Sequence, residues 1–293
     1  MENKFKGTLY MCISAFLFAL MASCVKMVGS DISIFEKLFF RNAVTVAVVF
    51  FSVSKMNLSI KPKSKKNFKF IVYRSLSGLA GAVCFFYAIS NMSLADSTML
   101  NKLSPFFVMI FACIFLKEKF YKVQLIPLIL IMVGALLVIK PTFNVGIYPA
   151  LIGFSSAIFS GGAYTLVRYL RTMEEPNTIV LWFAIISLIL LFPPMIISGF
   201  VTPNTRQLIL LLGSGVFAAA GLVAISYAYK YAPANEISIY QYLTIIFAAI
   251  IGFIVLGEVP DTASILGGFF IIGAAFINFY LTRNIINSRL LKE

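Results

Sequence analysis

Histidine is missing from this sequence altogether, and only 12% of its 293 residues are charged. The first absence excludes metal sites built on imidazole and removes the commonest general base. The second removes the solvated surface of an ordinary soluble domain, where about a quarter of the residues are charged. Acids are the scarcer sign, with 11 Asp and Glu against 24 Lys and Arg, and they are scattered singly. An intramembrane enzyme would need a nucleophile with a positioned base or a cluster of acids, and the chain offers neither. The four cysteines (Cys12, Cys24, Cys84, Cys113) lie inside apolar runs without paired spacing, as small core residues do, and give no disulfide framework. Met21-Ala22-Ser23-Cys24 is weakly lipobox-like, but Lys26 and nine more spans follow, so it reads as coincidence rather than a cleaved signal. No cofactor, no metal and no catalysis are expected.

What the chain has instead is apolar length: 60% hydrophobic residues and a mean hydropathy of +0.96. The apolar residues form long runs, not the ~10-residue alternating segments of a membrane barrel. The expected fold is therefore an all-α integral membrane protein. Runs near 20 residues, the length that crosses ~30 Å of hydrocarbon, number ten: 7–28, 34–54, 69–91, 94–116, 122–140, 146–169, 177–199, 207–230, 235–256 and 263–283. The connections are short, and nothing is left over for a soluble domain.

The basic excess follows the membrane rather than nucleic acid. Lys55, Lys61, Lys63, Lys65, Lys66 and Lys69 crowd one connection, as the positive-inside rule expects of a cytoplasmic loop. With the N-terminus in the cytoplasm, Lys4, Lys6, Lys117, Lys119, Lys122, Arg168, Arg171, Lys230, Arg283, Arg289 and Lys292 fall on the same side. Lys26, Lys37, Lys140 and Arg206 fall outside, while Arg41, Arg74 and Lys102 lie within spans. Both termini are expected in the cytoplasm, with the chain in the cytoplasmic (inner) membrane as a monomer or weak homodimer. Its partners are then the lipid bilayer and a small-molecule substrate, not nucleic acid.

The sequence also contains itself twice. At an offset of 140 residues Gly81 falls on Gly221, Tyr87-Ala88 on Tyr227-Ala228, Asp96 on Glu236 and Asn101 on Gln241. Leu103 falls on Leu243, Phe107 on Phe247, and Leu116-Lys117-Glu118 on Leu256-Gly257-Glu258. The copies divide as 1–142 and 143–293, five spans each. An odd number of spans turns the second copy upside down, and an inverted repeat is the sequence mark of a transporter. Small residues mark helix contacts: Ser77, Gly78, Gly81 and Ala82 in span three are expected to face Ser214, Ala218, Ala220 and Ala224 in span eight.

Polar groups within spans are functional candidates by default. Span four carries Asp96, Asn101 and Lys102 ahead of Pro105, whose ring removes a hydrogen bond to the Asn101 carbonyl. Span nine carries Glu236, Tyr240, Gln241 and Tyr242 at the equivalent places. Asp96 and Glu236 become gate or proton-linkage candidates on opposite faces, with the amides of Asn101 and Gln241 nearer the midplane. Arg41, about 10 Å below the outer end of span two at ~1.5 Å per residue, needs an anionic partner. Glu36 and Asp96 are the internal candidates, and a substrate carboxylate or phosphate is the external one. Lys102 is the second cation of this kind, whereas Arg74 lies close enough to the cytoplasmic end to snorkel. Tyr87, Tyr227 and Tyr240 could offer ring faces to a ligand.

These residues together resemble the drug/metabolite transporter superfamily, EamA type, over nearly the whole chain. The matching strings are Phe39-Phe40-Arg41, Tyr87-Ala88 through Pro105 to Leu116-Lys117-Glu118-Lys119, Tyr227-Ala228, Tyr240-Gln241-Tyr242-Leu243, Leu256-Gly257-Glu258-Val259-Pro260 and Gly267-Gly268. The resemblance implies ten spans in two inverted five-helix repeats, a central cavity among spans three, four, eight and nine, and structural roles for Glu118 and Glu258. It implies a secondary transporter for a small polar or zwitterionic metabolite, working by alternating access. S-adenosylmethionine-like or amino-acid-like substrates are favoured by the arginine in span two and the Tyr-Gln-Tyr-Leu string. The alternatives are a superfamily exporter of drugs or organic cations, or a channel or non-transporting scaffold. The paired basic residues of the sugar-phosphate branches are missing from span nine.

Overall fold

A computed structural model describes residues 2–55, 60–117, 125–139, 147–170, 173–231 and 238–290. The elements are α1 (Glu2–Met27), α2 (Ile34–Lys55), α3 (Lys65–Asn91), α4 (Leu94–Asn101), α5 (Ser104–Phe115) and α6 (Leu125–Ile139). They continue with α7 (Ile147–Leu170), α8 (Pro176–Ile197), α9 (Thr205–Tyr231), a 3₁₀ turn (Ser238–Tyr242), α10 (Leu243–Leu256) and α11 (Thr262–Leu290). Among the described residues, seven segments are long and apolar enough to cross a membrane, and Leu125–Ile139 and Tyr240–Leu256 are shorter apolar helices. α2, which carries Glu36, Lys37, Arg41 and Lys55, completes the ten expected spans. α4 and α5 together form the fourth span. Helices are the only open-ended answer for such a chain, because lipid offers backbone N–H and C=O groups no partner outside the segment itself.

The packing is symmetric under exchange of the two halves. α1 packs on α9 as α3 packs on α7; α1 packs on α10 as α7 packs on α4 and α5; α2 packs on α9 as α8 packs on α3. The remaining main contacts join counterparts directly: α2 with α8, α6 with α11, and α4 with α10. The expected pairing of spans three and eight is thereby corrected, since each packs on the first helix of the opposite copy. Side-chain detail repeats too. A Cβ on Gly81 would stand 2.8 Å from Ser160 Oγ and 3.2 Å from the Ser156 carbonyl. On the other side Ser14 Oγ donates to the Gly221 carbonyl at 2.9 Å, and Phe18 covers Gly221. Only a missing side chain lets these backbones approach so closely.

The buried apolar side chains form two main clusters. One gathers α4, α5, α6, α7, α10 and α11 around Leu100, Phe106, Ile131 and Ile271; the other gathers α1, α2, α3, α8 and α9 around Ala22, Leu38, Phe86 and Ala218.

Candidate functional site

The fourth span of the first copy is interrupted, and its counterpart in the second copy enters its helix through a 3₁₀ turn within one residue of the matching position. α4 stops at Asn101, and the chain crosses Lys102 and Leu103 by short turns: Lys102 N donates to Thr98 O at 2.9 Å and Leu103 N to Leu100 O at 3.1 Å. α5 then restarts with Pro105 in its first turn. In the second copy a 3₁₀ turn ends at Tyr242 and α10 starts at Leu243. The residues that precede the two restarts, Leu103 (φ −74, ψ −14) and Tyr242 (φ −70, ψ −15), have nearly the same backbone angles. Pro105 announces the first break in the sequence. Its counterpart is Ile245, so the second break carried no such signal.

Beside the first break stands Lys102, partly accessible, whose side chain has no hydrogen-bond or carboxylate partner among the described residues. Asn101, next to it, donates from Nδ2 to Ser156 Oγ of α7 at 3.2 Å.

Arg41 does not find the internal acids expected of it. Its Nη2 donates to Asn42 Oδ1 at 3.0 Å, and its guanidinium lies 5.4 Å from the Phe86 ring centre. Glu36 instead accepts from Val201 N at 3.4 Å and keeps its other oxygen without a partner. Asp96 is buried with Oδ1 unpartnered. Lys37, expected at the outer surface, is 1% exposed and reaches Ser90 Oγ at 3.3 Å.

Arg74 gives the largest departure. It does not snorkel: it is 8% exposed, with its guanidinium 4.1 Å over the Phe183 ring, and Nε and Nη1 have no partner. Gly78 lies one turn deeper along α3, and a Cβ there would stand 3.2 Å from the Phe183 ring and 3.6 Å from Arg74 Nη1, so the glycine lets the ring that Arg74 lies over pack close to α3. Arg41 and Arg74 interact electrostatically with each other and both with the Tyr164 phenol of α7. Residues of three helices are thus in electrostatic reach of one another, two of them guanidiniums with no acid beside them among the described residues.

The other candidates lie elsewhere on the frame. Tyr87 is partly accessible, and its carbonyl accepts from Asn91 Nδ2 at 2.8 Å. Tyr227 stacks on Tyr10 at 5.5 Å, and Tyr10 on Tyr231 at 5.7 Å, near the start of α1. Tyr240 is accessible at the 3₁₀ turn, where the Gln241 carbonyl accepts from Thr244 Oγ1 at 2.7 Å. Glu236 lies outside the described residues.

A latch joins α1, α4 and α10 at the end of the bundle where α1 and α3 finish. Glu258 Oε1 pairs with Lys26 Nζ, while its Oε2 accepts from Leu94 N at 2.7 Å, capping α4. Lys26 Nζ also donates to the Met92 carbonyl. Glu258 reaches this position because Gly257 turns the chain with φ 66, a value that costs glycine little. An open polar pocket of about 450 Å³ lies beside the pair, lined by Ser90, Asn91, Ser93 and Val259.

A model of the EamA-like transporter family matches residues 5–140 and again residues 147–280. The chain belongs to the EamA-like transporter family. It is 31% identical over 271 residues to the pseudopaline exporter CntI of Pseudomonas aeruginosa (strain UCBPP-PA14), covering 92% of this chain and 94% of that protein. It is 23% identical over 289 residues to the S-adenosylmethionine uptake transporter of Rickettsia bellii, covering 95% and 96%. A crystal structure with 13% identity superposes with a TM-score of 0.70 over 95% of this chain and 98% of that one, a likeness of fold. This EamA-like protein is thus a multi-pass membrane transporter of the drug/metabolite superfamily, with the two five-helix units that the repeat required.

Proposed function

We propose that the protein is a secondary transporter that moves a small polar or zwitterionic metabolite across the cytoplasmic membrane by alternating access, both termini being cytoplasmic. One observation carries this reading: within one residue of equivalent positions the fourth spans leave regular α-helix, and the first interruption holds a lysine without a partner among the described residues. Departures from regular helix at membrane depth are tolerated where they are buried in protein or line a cavity, and inverted repeats place the substrate site between the two halves.

In this reading Arg41 and Lys102 hold an acidic group of the substrate, Asn101 and Gln241 supply hydrogen bonds, and Tyr87, Tyr227 and Tyr240 pack against it. Asp96 and Glu236 serve gating or proton linkage. Substrates like S-adenosylmethionine or an amino acid are favoured, and relatives named for uptake and for export support a metabolite carrier in either direction. The Tyr10–Tyr227–Tyr231 stack supports a second reading, export of an organic cation held on ring faces.

The test is counterflow into proteoliposomes loaded with S-adenosylmethionine, single amino acids or an organic cation. Saturable uptake stimulated by substrate on the far side is the expected result. Unsaturable conductance would mean a channel, and the absence of counterflow for every compound would overturn the reading. Lys102→Ala should abolish transport of an anionic or zwitterionic substrate while the protein stays folded; normal transport would make Lys102 structural.

A further inference from the structure

The two guanidiniums raise a question of charge that a zwitterion with one carboxylate does not answer. Arg74 is buried at 8% exposure with two nitrogens lacking partners, and Arg41 is satisfied only by the neutral amide of Asn42. Among the described residues, the neighbours that face them are Phe86, Phe183, Tyr164 and Asn42, none of them acidic. Asn42 itself keeps a buried Nδ2 without a partner. A buried cation left alone costs several kcal/mol, and a neighbouring cation raises that cost. Stability alone therefore argues against Arg74, and its rotamer argues against a role at the interface. The ring of Phe183 covers one guanidinium face, which leaves the in-plane N–H groups as the groups still seeking acceptors. One anionic group would neutralise one arginine and leave the other unpaired.

We propose that Arg41 and Arg74 together form a dianion site, and that the transported metabolite carries at least two carboxylates, with Arg74 setting that preference. The inference rests on the transporter reading and deepens it by naming the substrate class. α2 presents Arg41 and α3 presents Arg74, so a substrate that binds both would tie two helices of the first copy. The second copy contributes the Phe183 platform. Lys102 keeps its share of the acidic group at Arg41, and Arg74 takes the second carboxylate. Guanidinium matches planar carboxylates through paired N–H donors, which a lysine at either position could not reproduce.

The test uses the purified full chain in detergent and the variants Arg74→Gln and Arg74→Lys. Thermal unfolding midpoints are measured in acetate, succinate and citrate at matched ionic strength, with inorganic phosphate as the other oxyanion. Wild type should gain stability in the order acetate, succinate, citrate. Arg74→Gln should show a higher midpoint without ligand, because an unpaired buried charge has been removed. It should also lose the gain from succinate and citrate, with affinity falling about tenfold or more. Arg74→Lys should keep only part of the gain. A flat wild-type series would overturn the dianion site, as would equal gains in wild type and Arg74→Gln. Full stabilisation by phosphate alone would overturn the assignment to carboxylates. Counterflow in proteoliposomes separates the two claims. Arg74-dependent citrate binding without counterflow of any compound leaves the site standing and removes the carrier. Unimpaired counterflow of dicarboxylates by Arg74→Gln does the reverse.

Discussion

Among single residues, Lys117 is as telling as the arginines. It adopts φ 54, a left-handed value, at the position that matches Gly257 in the second copy, where φ is 66. The two copies make the same turn at the end of their fourth span, one with the residue suited to it and one without. A side chain in that conformation costs about 1 kcal/mol. Lys117→Gly should therefore raise the unfolding midpoint in detergent, by about that free energy; a lower midpoint would show that the Lys117 side chain contributes more than its backbone costs. At the matching turn, Glu258→Gln keeps an acceptor for Leu94 N but removes the charge that holds Lys26. A cysteine replacing buried Ala95, in a background without the native cysteines, should then react faster with an impermeant thiol reagent. An unchanged rate would mean that the ion pair does not hold that end shut. The sequence showed that Arg41 and Lys102 were costly and worth explaining. It pointed the wrong way for Arg74, because position along a helix sets how far a side chain could snorkel, not whether a ring on a neighbouring helix holds it inward.

At the scale of elements, glycine decides how closely the helices approach. A Cβ on Gly161 of α7 would stand 2.4 Å from Phe107 Cβ of α5, whereas Gly273 of α11 has nothing within 4 Å. Gly161→Ala should destabilise by about 1–3 kcal/mol, and Gly273→Ala should be near neutral or slightly stabilising, as alanine is in a helix. Thermal unfolding of the pair checks this, and equal effects would discredit the close contact of α5 and α7. The stripes of small residues on spans three and eight were legible, but their partners were not. A stripe marks a face and carries no information about which helix covers it, and here the covering helix belongs to the other copy. Helix breaks were legible in the same partial way: Pro105 marked one, while the break before Leu243 follows from packing and left no local signal.

For the whole molecule, the ten spans and the duplication were readable because both rest on strong, long-range patterns: apolar length and the 140-residue offset. Orientation rests on the lysines of the 55–69 connection. Single cysteines at Lys63 and Asn204 should be labelled from opposite sides of the membrane, and labelling from one side would defeat the topology.

The exchange symmetry of the helix contacts has an energetic consequence. A chain whose contact scheme maps onto itself when its halves trade places encodes a second arrangement, in which each half takes the other's backbone shape. Contacts common to both arrangements cancel in the difference between them, so the free-energy gap comes from positions where the halves disagree, such as Lys117 against Gly257 and Lys102 against Tyr242. Near-degeneracy of this kind needs only a few kcal/mol of differential binding to tip it. In the alternating-access reading proposed above, the duplication brings the two facing states close in cost, and the mismatched residues decide which one waits empty.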